Sequence, residues 1–267
     1  EPRTWADATV VGVMSAVDAA VVRAATPGVR AVLTPNGVDV DYFQSDESVS
    51  RDGRTAVFMG DYKYFPNTDA VLYFVHEILP LVLRQRPDFR LVLLGKDAPR
   101  EILALHDDPA VPVTVAGLVP DTRPYLQGSA MFVCPLRSGS GTRFKLLEAL
   151  ACGCPVVSTT VGAEGLDAVD GVHMLLRDTP QDFADAIVAL LQQPALGAAI
   201  GREGRAWVIQ QHAWARSAAL LRDAYDKLIG HEDPTPVLTA RQREQLAARV
   251  RDALEADSPG KPDQPSA

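Results

Sequence analysis

Short apolar runs rich in branched side chains alternate along this chain with longer stretches in which apolar residues return every three or four positions. The first pattern is that of strands buried on both faces, and the second that of amphipathic helices. Strands are predicted over 9–14, 30–33, 55–59, 89–94, 111–116, 130–134, 155–159 and 172–176. Helices are predicted over 17–25, 67 to about 82, 101–106, 122–126, 183–191, 196–211 and 214–228, and one more opens at the turn 139–142 and stops at Gly153. Pro112 lacks a ladder donor, which predicts an edge position or a late start for the strand that holds it. Strand followed by helix at this spacing gives an α/β fold: a Rossmann-like parallel sheet, six-stranded from residue 55 onward, with helices on both faces.

The polar residues of this pattern gather in one place. Residues 129–165, SAMFVCPLRSGSGTRFKLLEALACGCPVVSTTVGAEG, form a βαβ unit with its turn at the carboxyl end of a strand, where open α/β sheets bind their ligands. Gly139 and Gly141 admit positive φ, and the Thr142 hydroxyl suits a helix start. Phe144, Leu147 and Ala151 share one helical face, which Leu146 and Leu150 widen. Lys145 and Arg143 beside a helix amino end make a place for a phosphate group. The plainer account is that the turn is αβ punctuation and that Lys145 and Glu148 form a solvated pair worth about 0.2–0.5 kcal/mol. No GxGxxG or GxxxxGK(S/T) fingerprint accompanies the turn. Earlier in the chain, Asn36-Gly37 predicts a turn with easy access to positive φ.

The predicted organisation has four parts. Residues 1–40, which begin at Glu1, are the last portion of an otherwise missing amino-terminal Rossmann-like domain; 41–54 are a polar linker; and 55–229 are the main domain. Residues 230–267 hold a breaker-rich linker, a short helix over 238–256 with Leu246, Val250 and Leu254, and a disordered Pro- and charge-rich tail.

Composition narrows the function classes. A chain of 267 residues with 47% apolar and 22% charged residues buries a sizeable core. Its net charge of −8 argues against a general nucleic-acid or acidic-membrane surface. The three cysteines Cys134, Cys152 and Cys154 lie in the apolar βαβ stretch without CxxC spacing, so they are expected as small buried hydrophobes. His76, His106 and His173 lack sequence partners, and Trp207 and Trp214 are expected in packing. No carboxylate–histidine cluster suggests a metal, and no apolar run has membrane-spanning length, so the expectation is a cytoplasmic protein without a metal or other cofactor.

Several of these stretches resemble one family. Pro35-Asn36-Gly37-Val38-Asp39 with Phe43 is similar to the segment joining the two domains of family 4 glycosyltransferases, the retaining enzymes of the GT-B fold. Phe58-Met59-Gly60 followed by Tyr64-Phe65-Pro66-Asn67-Thr68-Asp69-Ala70 resembles the opening of their carboxyl-terminal, nucleotide-sugar-binding domain. Gly141-Thr142-Arg143-Phe144-Lys145-Leu146-Leu147-Glu148-Ala149-Leu150-Ala151-Cys152-Gly153, and then Pro155-Val156-Val157-Ser158-Thr159 with Gly162-Ala163-Glu164-Gly165-Leu166, complete the match, which looks like the bacterial exopolysaccharide group. The family pattern has two glutamates eight positions apart. Here they are Ser140, a departure, and Glu148, which the resemblance assigns to the ribose hydroxyls. A second departure is Asp61 where an arginine is usual, with Lys63 two residues on.

The resemblance implies transfer of a sugar from a nucleoside diphosphate to an acceptor hydroxyl with retention, this chain carrying the donor half of a GT-B fold. Lys145 and Glu148 are then the central residues, with Gly60, Lys63, Leu118, Gly139, Ser140, Gly141, Thr142, Arg143 and Glu164 around the donor. The implied partners are the nucleotide sugar, a sugar or lipid-linked acceptor and the missing amino-terminal domain, through which the inner membrane face would be reached. The piece alone is expected to bind donor and to transfer poorly. Three other readings stay open: a non-catalytic nucleotide-sugar-binding or regulatory module, a nucleotide-sugar epimerase, and a structural α/β domain whose tail helix recruits a partner. A hydrolase-like carboxylate pair, Glu148 with Glu164, has no sequence reason for shifted acidity.

Overall fold

The computed structural model describes residues 2–46, 48–139, 141 and 143–229. Ser140, Thr142 and the expected helix and tail beyond residue 230 therefore lie outside the described residues. Two compact units emerge from the packing, Glu1–Arg222 and Asp223–Ala267. The first opens with α1 (Pro2–Ala6), β1 (Val10–Val13), α2 (Ala16–Ala25) and β2 (Arg30–Leu33). β1 and β2 pair in parallel as a separate two-stranded sheet, and Ser15 caps α2 by accepting from the Asp18 N–H.

The main sheet begins at β3 (Thr55–Met59) and continues through α3 (Phe65–Tyr73), a π-helical turn (Phe74–Ile78), α4 (Leu79–Gln85), β4 (Arg90–Leu94), α5 (Arg100–Asp107) and β5 (Val113–Gly117). It then crosses by α6 (Arg123–Gly128) to β6 (Met131–Cys134), α7 (Phe144–Ala151), β7 (Val156–Ser158) and β8 (Leu175–Leu176). α8 (Pro180–Gln192), α9 (Pro194–His212) and α10 (Trp214–Ile229) follow, the last of these crossing from the first unit into the second. Six strands lie in the order β5-β4-β3-β6-β7-β8, and every pair is parallel.

That order carries the functional geometry. The chain builds outward from β3 in one direction, then returns to start β6 on the other side of β3. The direction reversal opens a crevice at the carboxyl ends of β3 and β6, the topological switch point where open α/β sheets bind ligands. β3, β6 and β7 are buried along their whole length, as strands covered on both faces must be. α8 packs with α4 and the π turn, while α7 packs with α9, which gives the two covering layers.

Several expectations need correction in detail. The helix predicted from 67 to about 82 starts at Phe65 and runs to Gln85, interrupted by the π turn just before Pro80. A proline there has no N–H to give and crowds the carbonyl four residues back, so the ladder widens by one residue instead of continuing as α. The strand predicted over 111–116 starts after Pro112 and does lie at the sheet edge, while that over 172–176 shrinks to Leu175–Leu176. Asn36-Gly37 does not use positive φ. Gly37 is required instead because a Cβ there would lie 2.8 Å from the Trp214 ring. Trp214, expected in packing, is half-exposed.

The stretch 41–54 has little regular structure yet is fastened to the body. Arg51 donates to the carbonyls of Leu126 and Ser129, each at 2.8 Å, and to that of Cys152 at 3.3 Å. Gln127 donates to the Gln44 carbonyl at 2.7 Å. The three cysteines are free and buried, and burial pushes their thiols above the usual range.

Candidate functional site

α7 brings the candidate chemistry to the switch point. Its first ladder bonds run from the Leu146 and Leu147 N–H groups to the Arg143 carbonyl, which leaves the N–H groups of Phe144 and Lys145 outside the helix's own ladder. The cap residue is Arg143, one position later than the predicted Thr142, and its side chain makes no cap bond. Gly139 and Gly141 in the preceding turn both take positive φ, at 110° and 87°, as the sequence predicts. The predicted apolar face is shifted: Phe144 is exposed, and Leu146, Leu147, Ala149, Leu150 and Ala151 are buried against the sheet and α9. Arg143, expected at an exposed helix end, is buried.

Lys145 and Glu148 are both half-buried, and among the described residues they do not form the solvated ion pair of the plainer account. The Lys145 Nζ donates to Asn67 Oδ1 at 2.6 Å and lies 4.5 Å from the centre of the Phe58 ring. Burial lowers the Lys145 ammonium to about 8, with the nearby Arg143 adding to the effect and Cys134 and Glu148 opposing it. Burial likewise raises the Glu148 carboxyl to about 7, against the pull of Lys145. A half-buried cation and a half-buried carboxylate, one helical turn apart and each ionising reluctantly, lack the charge complement that an anionic and hydroxyl-bearing ligand would bring.

The loop after β3 forms the other wall of the crevice. Asn67, buried in the first turn of α3, donates through Nδ2 to the Asp61 carbonyl at 2.7 Å while accepting from Lys145. A Cβ on Gly60 would come within 2.7 Å of this amide, and one on Gly139 within 2.7 Å of the Tyr64 hydroxyl. Gly60 therefore admits Asn67, and Gly139 admits Tyr64. By spacing alone Asn67 has only a place near a helix start; a buried amide reaching across to another element leaves no signature in the sequence.

The remaining predicted residues are placed less centrally. Lys63 is largely exposed and pairs with Asp97 at 3.4 Å, while Asp61 pairs with Lys96 at 3.2 Å. Exposed pairs of this kind contribute little to stability. Leu118 stands 77% exposed after β5 and takes no part in the core. Glu164 and Gly141 line a cavity of about 200 Å³ together with Asn36, Ser15 and Asp18, separate from Lys145. A further cavity of about 320 Å³, between Leu33, Trp207, His212 and Arg216, contains neither Lys145 nor Glu148. His173 has partners after all: it stacks on Trp207 at 5.1 Å and accepts from the Val169 N–H at 3.0 Å. Among the described residues, no group of three or more His, Cys, Asp or Glu side chains is arranged to hold a metal ion, and no single helix is long and apolar enough to cross a membrane.

Comparison with known proteins gives this geometry a context. Residues 53–193, more than half of the chain, match the sequence profile of the family described as Glycosyl transferases group 1. The chain is 27% identical over 214 residues to the phosphatidyl-myo-inositol mannosyltransferase of Mycobacterium tuberculosis, covering 76% of this chain and 56% of that protein. Among solved structures it is similar to sucrose-phosphate synthase from Thermosynechococcus elongatus, at a TM-score of 0.69 and 23% identity over 86% of this chain and 60% of that one. It is also similar to HepE of Anabaena in complex with UDP and glucose, at a TM-score of 0.62 and 18% identity over 84% of this chain and 64% of that one. The chain thus spans about half the length of the curated relative it matches.

Proposed function

The chain belongs to the group 1 glycosyl transferases, with a GT-B-type domain, and from that premise we propose that residues 55–229 bind the nucleoside diphosphate sugar donor of a retaining transfer. The observation that carries this reading is the pair Lys145 and Glu148 on α7, half-buried at the switch point with acidities moved toward their neutral forms. A diphosphate beside Lys145 supplies the negative charge that makes its protonation favourable. Ribose hydroxyls donating to Glu148 stabilise its carboxylate in the same way.

The chemistry follows from where charge develops. Departure of the nucleoside diphosphate leaves an oxocarbenium-like sugar and puts negative charge on the leaving phosphate. The Lys145 ammonium and the unladdered N–H groups of Phe144 and Lys145 at the α7 amino end lie where that charge would be stabilised. Glu148 fixes the ribose and so orients the phosphates against them. The structure of HepE was determined with UDP and glucose, which supports a uridine donor as the first to test. To the segment in hand we assign donor binding, and to the whole protein transfer to an acceptor hydroxyl; family 4 membership, an exopolysaccharide or lipid-linked acceptor and a place at the inner membrane face belong to the same proposal.

Calorimetric titration with UDP, GDP, ADP and TDP tests it. One nucleotide is expected to bind selectively, and Glu148→Ala to weaken it at least tenfold. A folded chain that binds none of them would favour a structural role for this domain instead.

A further inference from the structure

The contacts around Asn67 have no part in the donor reading so far, and they join the two walls of the crevice. Asn67 sits on α3, behind the loop that follows β3; Lys145 sits on α7, behind the turn that follows β6. The two loops end the two strands between which the sheet order reverses. Asn67 Oδ1 accepts from Lys145 Nζ at 2.6 Å, and Asn67 Nδ2 donates to the Asp61 carbonyl at 2.7 Å. An amide used at both ends cannot rotate without losing one bond, so its acceptor end stays aimed at the ammonium. The surroundings enforce the same orientation. Gly60 leaves room for the amide that any side chain would fill, and Gly95 in turn packs its α-carbon against the Gly60 carbonyl at a φ of 129°. On its other side Lys145 meets the face of Phe58.

Resting on the donor-site reading, we propose that Asn67 is a positioning residue for the diphosphate: it holds the Lys145 ammonium at the crevice between β3 and β6 without itself touching the nucleotide. A neutral acceptor suits this task. It accepts one hydrogen bond from the ammonium and leaves the positive charge for the phosphate, whereas a carboxylate at the same place would neutralise it. The device also explains how the chain manages with Asp61 and an exposed, paired Lys63 on the loop after β3: the cation comes from α7, and α3 contributes the group that orients it.

The test is a double-mutant cycle on UDP affinity, with uridine as the phosphate-free control. Asn67→Leu is expected to weaken UDP at least tenfold and uridine less than twofold, and to have no further effect in a Lys145→Met background. Asn67→Asp, which keeps the shape of the side chain and so protects against loss of folding, is expected to weaken UDP at least as much while the chain stays folded. A ligand-free readout accompanies the cycle. The chain has five lysines, Lys63, Lys96, Lys145, Lys227 and Lys261, so the Cε signal of Lys145 in lysine-labelled protein can be assigned by its loss in Lys145→Met. Its alkaline titration is expected to move in Asn67→Leu and the other four to stay.

Equal losses of UDP affinity from Asn67→Leu in the wild-type and Lys145→Met backgrounds, or an unmoved Lys145 signal, would overturn the role of Asn67 alone. A folded wild-type chain that binds no diphosphate would overturn the donor-site reading on which it rests.

Discussion

Changing pH across the range in which Lys145 and Glu148 ionise should give donor binding a bell-shaped profile, and its width can be worked from the structure. In the free protein the Lys145 ammonium is lowered to about 8 and the Glu148 carboxyl raised to about 7, both mainly by burial. A bound diphosphate favours the charged lysine, and ribose hydroxyls favour the charged carboxylate. If binding returns both groups to their ordinary values, Kd follows from the ratio of protonation polynomials in the free and bound states. Between pH 7.5 and 9.5 the lysine alone then weakens binding about twentyfold, roughly 1.8 kcal/mol. Between pH 7.5 and 5 the glutamate alone weakens it about sixtyfold. The optimum falls between the two free-state values, about pH 7–8. Calorimetry with UDP in buffers of different ionisation enthalpy reads both limbs directly: at pH 8.5 binding should take up about 0.7 proton, because most of Lys145 is neutral before the ligand arrives. Lys145→Met should remove the alkaline limb and the proton uptake together, and Glu148→Gln should flatten the acid limb beyond what protonation of UDP itself produces. A wild-type affinity that stays flat from pH 7.5 to 9.5, or an alkaline limb that survives Lys145→Met, would refute the reasoning.

Stability without ligand should show the opposite face of the same charges. Because the folded pKa of Lys145 lies below its unfolded value, the unfolded chain binds more protons between about pH 8 and 10.5, and stability gains from this group as pH rises through that window. Urea unfolding should therefore find Lys145→Met more favourable relative to wild type at pH 7 than at pH 10.5, by about 3 kcal/mol; an unchanged difference would show that Lys145 is not desolvated in the folded state. Arg51→Ala leaves the carbonyls of Leu126, Ser129 and Cys152 without their shared donor and should cost about 2–3 kcal/mol, a fall in thermal midpoint of about 4–10 °C by differential scanning fluorimetry. A fall below 1 °C would mean that water replaces the guanidinium at no cost.

The sequence by itself determined the architecture and pointed to the strand end where the candidate site lies. Branched apolar runs such as 55–59, 130–134 and 155–159 can be satisfied only as strands covered on both sides, and helical stretches of amphipathic spacing between them leave a parallel sheet as the one economical arrangement. Gly139 and Gly141 mark the turn at a strand end because positive φ is a local backbone requirement, visible one residue at a time. Local rules failed where a distant element held the deciding vote. Phe144 has the right spacing for the buried face of α7 and is exposed, because the packing of α7 on α9 and the sheet, and not spacing alone, chooses which stripe is covered. Gly37 resembles a turn glycine, yet what it answers to is the ring of Trp214, far along the chain.

The site divides in the same way. Lys145 and Glu148 are legible as a cation and a carboxylate near a helix start, but a charge run in a sequence does not say whether its members meet water. Only the tertiary structure decided that both are half-buried, that they do not pair with each other, and that the ammonium donates to Asn67 on α3. The reason is physical: desolvation and cross-element hydrogen bonds depend on what packs within a few ångströms, and in a parallel sheet those neighbours come from strands brought side by side by a crossover, here β3 and β6, which lie far apart in sequence.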